Sequence, residues 1–108
     1  MNINNKDFYY LNEIRHQNHY ILKKLSEKKN LTFNEIFDGI INILNGYCSD
    51  IFISAFLMSL LLNGENFDEI RGTVEAIKSL AIKISPFVNL PIIDNCGTGG
   101  DFLNTFNI

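Results

Sequence analysis

The residues with the clearest capacity for chemistry stand together near the end of the chain: Asp94-Asn95-Cys96-Gly97-Thr98-Gly99-Gly100-Asp101, then Thr105-Phe106-Asn107-Ile108. A short β-prone run, Phe87-Val88-Asn89-Leu90-Pro91-Ile92-Ile93, feeds directly into the glycines. Residues without a Cβ let several backbone N–H groups converge on one anion, so Gly97, Gly99 and Gly100 could form a phosphate cradle. The same glycines could equally make an ordinary tight turn. No Lys-Ser or Lys-Thr follows them and their spacing is not GxGxxG, which disfavours a P-loop ATPase and a dinucleotide-binding dehydrogenase.

The polar residues around the glycines divide in the same way. Asp101 would repel a bound phosphate unless it faces a hydroxyl, a metal-bound water or a basic group, and its plain alternative is a turn-forming carboxylate. Thr105 and Asn107 stand where a following helix would begin, and their side chains could donate to phosphate or cap that helix. No Lys or Arg occurs after Lys83, so the loop offers backbone dipoles but no neutralising charge. Alone it should bind a highly charged anion poorly.

Other reactive types are scattered. His16 and His19 lie three apart on an expected helix without a Cys or third ligand, and read as surface or partly buried histidines. Cys48 sits beside a helix start and Cys96 beside the glycine loop, where amide dipoles can lower a thiol pKa, but no histidine adjoins either in sequence. Both read as packing residues. Two cysteines without a CxxC pair suggest neither a zinc site nor a disulfide framework and fit a reducing cytosol.

Four amphipathic or apolar segments precede the loop and must position it. Leu11, Ile14, Ile21, Leu22 and Leu25 share one helical face over residues 11–28. Thr32 and Glu35 form a capping pair, with Leu31 and Ile36 as a hydrophobic staple, for a second helix running to about Leu44 and stopped by Asn45-Gly46. A third helix, residues 51–62, has only Ser54 and Ser59 as polar residues and should be covered on more than one side. Its Phe52, Phe56 and Leu60 stripe reads as core or subunit interface rather than a cofactor pocket. Asn63-Gly64 closes it, and Asn66 with Glu69 starts a fourth helix in which Ile70, Val74, Ile77, Ala81 and Ile84 recur at helical spacing, with Pro86 as its end. The character changes at residues 85–91. The chain is therefore expected to be mainly α: a helical bundle over residues 1–85, then over 86–108 the first strand and glycine loop of an α/β domain.

Composition supports one ordinary folded domain. With 108 residues, 46% hydrophobic and 12% aromatic, a real core is within reach. A net charge of −3 argues against nucleic acid as a partner. The apolar residues 51–62 are too few to cross a bilayer and Met1 to Asp7 lack a signal pattern, so a cytoplasmic protein without membrane contact is expected.

Gly97-Thr98-Gly99-Gly100-Asp101 and Thr105-Phe106-Asn107-Ile108 resemble the GTGGD and TFNIST signature of anthranilate phosphoribosyltransferases. Upstream, the Leu31 to Glu35 helix start, Ala55-Phe56-Leu57, Asn63-Gly64-Glu65 and Glu69-Ile70-Arg71-Gly72 look like that family's helical domain. The resemblance covers roughly residues 20–108; residues 1–19 have no counterpart. It implies transfer of the phosphoribosyl group from phosphoribosyl pyrophosphate to the amine of anthranilate, a step of tryptophan biosynthesis, with Mg2+ on the phosphates and a homodimer built through the helical domain. By motif position it implies that Gly97, Gly100, Asp101, Thr105 and Asn107 contact the donor and that Gly97 also lies near anthranilate.

Two departures from the pattern matter. Phe102 stands where the family has glycine, and limits backbone freedom beside the phosphates. The sequence stops at Ile108, before the Ser-Thr of the motif, the basic KHGN-type loop and the acidic metal ligands, so the resemblance implies an incomplete chain that is inactive by itself and holds no metal ligands. Two other readings use the same residues: a helical protein-interaction module with a glycine-rich tail, and a relative of pyrimidine nucleoside phosphorylase, whose loop looks like STGGVGD rather than GTGGD.

Overall fold

The computed structural model describes residues 5–93, in which four helices follow one another: α1 (Asn5–Ser26), α2 (Phe33–Leu44), α3 (Asp50–Asn63) and α4 (Phe67–Leu80). The chain is mainly α, as the periodicity predicts. Helices alternate in their pairing, α2 lying closest to α4 and α1 to α3.

Local chemistry sets most of the boundaries. At α2 the Thr32 hydroxyl accepts from the Glu35 N–H at 3.4 Å while the Glu35 carboxylate accepts from the Thr32 N–H at 2.6 Å, satisfying two donors that the helix start would leave unpaired. Asn66 and Glu69 repeat the device at α4, with 2.9 and 2.8 Å bonds. Ser49 caps α3 by accepting from the Phe52 N–H at 3.3 Å. Gly46 and Gly64 follow α2 and α3 at φ of 75° and 76°, the left-handed conformation that glycine takes without a Cβ clash.

Helix α1 differs from the expected span at both ends. It begins at Asn5 and stops at Ser26, short of Lys28. Lys28 itself takes a left-handed φ of 56°, so that its N–H donates to Leu25 and the Lys29 N–H to Lys24, a helix-ending loop in which lysine holds the place glycine usually has.

The core is one cluster: Ile21 and Leu25 of α1, Leu31 before α2, Ile36 and Ile40 of α2, Phe52, Phe56 and Leu60 of α3, and Ala76 of α4. Phe56 is fully buried and stacks on Phe52 with ring centroids 5.7 Å apart. Thus the Phe52, Phe56 and Leu60 stripe is core. Leu11, expected on the same inner face as Ile14 and Ile21, is exposed instead.

The apolar stripe of α4 faces outward, and the expectation of a helix α3 covered on several sides is corrected. Ile70, Val74 and Ile77 of α4 point outward, about half exposed, and the buried face is Glu69, Gly72 and Ala76. The cause is the close approach of α4 to α2: a Cβ on Gly72 would clash with the Ile36 side chain and lie 2.8 Å from the Phe33 carbonyl oxygen. Where two backbones come this near, small residues must hold the contact and large ones turn away. Arg71 reinforces the pair, its guanidinium 4.8 Å from the Phe33 ring centroid. Helix α3, expected to be covered on more than one side, is covered on one; Ile51, Leu61 and Leu62 are exposed on its flanks.

Beyond α4 the chain leaves the bundle. The helix ends at Leu80 rather than running on toward Pro86, and Ile82 and Ile84 are nearly fully exposed, so a further turn would bury nothing. Residues 82–93 run as irregular chain, and no strand is present among the described residues. A strand needs a neighbour to accept its ladder of hydrogen bonds, and none lies beside this segment among the described residues.

Candidate functional site

Gly97, Gly100, Asp101, Thr105 and Asn107, with Cys96 and Phe102, lie outside the described residues. What the structure gives is the frame that precedes them: the α2–α4 pair, the end of α4 at Leu80, and the apolar segment 82–93 leading toward the loop.

The firmest polar element of that frame is Glu69. It is buried, with one carboxylate oxygen accepting from the Leu31 N–H and the other from the Asn66 N–H, each at 2.8 Å. The same side chain therefore caps α4 and fastens the α1–α2 connection to it. Sequence reasoning saw the cap and missed the second bond, whose partner stands 38 residues earlier. Asn42, also buried, donates to Gln17 of α1 at 3.0 Å. Lys24 and Glu35 pair at 2.7 Å between α1 and the start of α2. Burial pushes the Glu35 carboxyl up, but hydrogen bonds from Lys24 and Thr32 outweigh it and hold the group below its ordinary value.

The scattered reactive residues do not converge. His16 and His19 are both exposed on α1, and among the described residues no group of three or more His, Cys, Asp or Glu could hold a metal ion. Cys48 is partly buried against the core and accepts a 3.4 Å bond from the Asn18 amide. Burial pushes its thiol up, against the pull of that bond, so the helix start does not make it a thiolate. For Cys48 both observations agree with a packing role.

Two surface depressions complete the frame. A groove of about 310 Å³ runs between α3 and α4 and is mainly apolar, with Leu57, Leu60, Ile70 and Val74 along it. A basic corner at the end of α1 is bounded by Tyr20, Lys23, Lys24, Glu27 and Lys29. There Lys24 is paired with Glu35 and Lys29 with Glu27, which leaves little free charge for an anion. Neither depression contains the residues that the resemblance assigns to the donor, which lie outside the described residues.

Comparison with known proteins places this frame. The helical bundle domain of the glycosyl transferase family matches residues 19–81, from within α1 to the end of α4. The chain is 40% identical to an anthranilate phosphoribosyltransferase of Nitrosopumilus maritimus over 82% of its own length and 25% of that protein's. It is 41% identical to that of Acetivibrio thermocellus and 44% to that of Dictyoglomus thermophilum, each over 81% of this chain and 25% of the relative. The chain thus spans about a quarter of the length of these curated relatives. An alignment of 87 residues cannot be contained in the first 81, so the likeness runs past α4 toward the glycine loop. No solved structure gives a significant match. The match over residues 19–81, more than half of the chain and spanning the bundle from α1 to α4, identifies the chain as a member of the glycosyl transferase family.

Proposed function

We propose that this chain contributes the helical bundle, residues 1–85, and the beginning of the donor-binding α/β domain, residues 86–108, to an anthranilate phosphoribosyltransferase. The observation that carries the reading is the identity of about 40% to proteins of that name, running past α4 toward the Gly97 to Asp101 signature. In this reaction the anthranilate amine forms a bond to the anomeric carbon of ribose as the bond to pyrophosphate breaks. Charge separates as the leaving group departs, so the rate comes from positioning and preorganised charge stabilisation, without a covalent nucleophile.

Backbone N–H groups at Gly97 and Gly100 suit the donor's phosphates, and Thr105 and Asn107 can donate to them. Asp101 suits a ribose hydroxyl, and Gly97 stands beside the anthranilate. Phe102 sets the remaining freedom of this loop. Magnesium would neutralise the phosphates, held in this reading by acidic residues downstream of Ile108. A cytoplasmic homodimer joined through the helical bundle fits the same reading, and the uncovered flanks of α3 are apolar surface available for it. No described helix is long and apolar enough to cross a membrane, and a net charge of −3 supports no nucleic-acid partner.

Those same flanks also favour a second reading, a helical interaction module without catalysis. One assay separates the two: consumption of anthranilate with phosphoribosyl pyrophosphate and magnesium, measured for the 108-residue chain and for a longer product of the same reading frame. The short chain should be inactive and the longer one active, with Gly100→Val abolishing turnover while helicity is kept. A folded longer product that leaves anthranilate unconsumed would favour the interaction module, and turnover by the short chain would show that the site needs nothing beyond it.

A further inference from the structure

We draw no further inference here: the strongest candidate, the apolar groove between α3 and α4 along Leu57, Leu60, Ile70 and Val74, is an unpartnered face, and nothing in the structure shows what covers it.

Discussion

Glu69 and Glu35 are both carboxylates at the third position of a helix, and the structure gives them different weight. Glu69 is buried and accepts two backbone N–H groups from separate parts of the chain. Removing a charged acceptor strands both donors, which costs about 1.5–3 kcal/mol for each such bond in typical series. Glu69→Ala should therefore lower the unfolding free energy by about 3 kcal/mol, read from urea denaturation followed by circular dichroism; a loss below about 0.5 kcal/mol, as for an ordinary surface substitution, would show that the Leu31 bond does not hold in solution. Glu35 is less deeply placed and acts through its charge. Because its folded carboxyl lies below the ordinary value of 4.5, it contributes stability above that pH and loses it as pH falls through the lower folded value. Glu35→Gln, which keeps the capping geometry, should cost about 1 kcal/mol at pH 7, the size of a good exposed-to-partly-buried ion pair. The difference between the two proteins should shrink on titration to pH 3. A gap unchanged by pH would mean that shape rather than charge is what Glu35 supplies. The caps themselves were legible, since Thr32 with Glu35 and Asn66 with Glu69 stand at the required spacing. The bond from Glu69 to Leu31 was not, because nothing local specifies a partner 38 residues away.

At the scale of the helix, starts and stops follow sequence more faithfully than faces do. Helices α2 and α3 begin and end within a residue or two of the spans expected from the Thr32 cap, the apolar run 51–62 and the Asn45-Gly46 and Asn63-Gly64 stops. Helix α4 starts where Asn66 and Glu69 imply, but its regular Ile70, Val74 and Ile77 stripe lies outward and its buried face is Glu69, Gly72 and Ala76, which spacing alone does not reveal. The competing signal was Gly72, whose absent side chain lets the two backbones meet against Phe33 and Ile36. Alanine is the better helix former by about 1 kcal/mol, so propensity alone expects Gly72→Ala to stabilise the protein. The contact expects the reverse, since the added methyl meets backbone that cannot rotate away, and overpacking of this kind costs about 1–3 kcal/mol. A lowered melting temperature in Gly72→Ala supports the close α2–α4 pair, and a raised one would mean that the helices sit farther apart than the structure has them.

Taken as a whole, the molecule divides where its burial stops. Every member of the core cluster lies at or before Ala76, while Ile82, Ile84, Phe87 and Ile93 beyond α4 are almost fully exposed. The change of residue type near Pro86 was legible, but the strand expected there is absent from the described residues, because a strand acquires its form from a neighbour, which a lone segment cannot supply. The proposed activity and the fold of the bundle therefore rest on different parts of the sequence, and they should be separable. Ending the chain after Ala81 removes the whole proposed donor loop and, among the described residues, none of the core. The shortened protein should keep its helical circular dichroism and unfold within about 0.5 kcal/mol of the 108-residue chain, the range of substitutions that touch no packed group. It should also be the more soluble of the two, because an uncovered apolar segment favours association. Loss of cooperative unfolding in the shortened protein would instead make residues 82–108 part of the bundle's core and move the domain boundary away from residues 85–91.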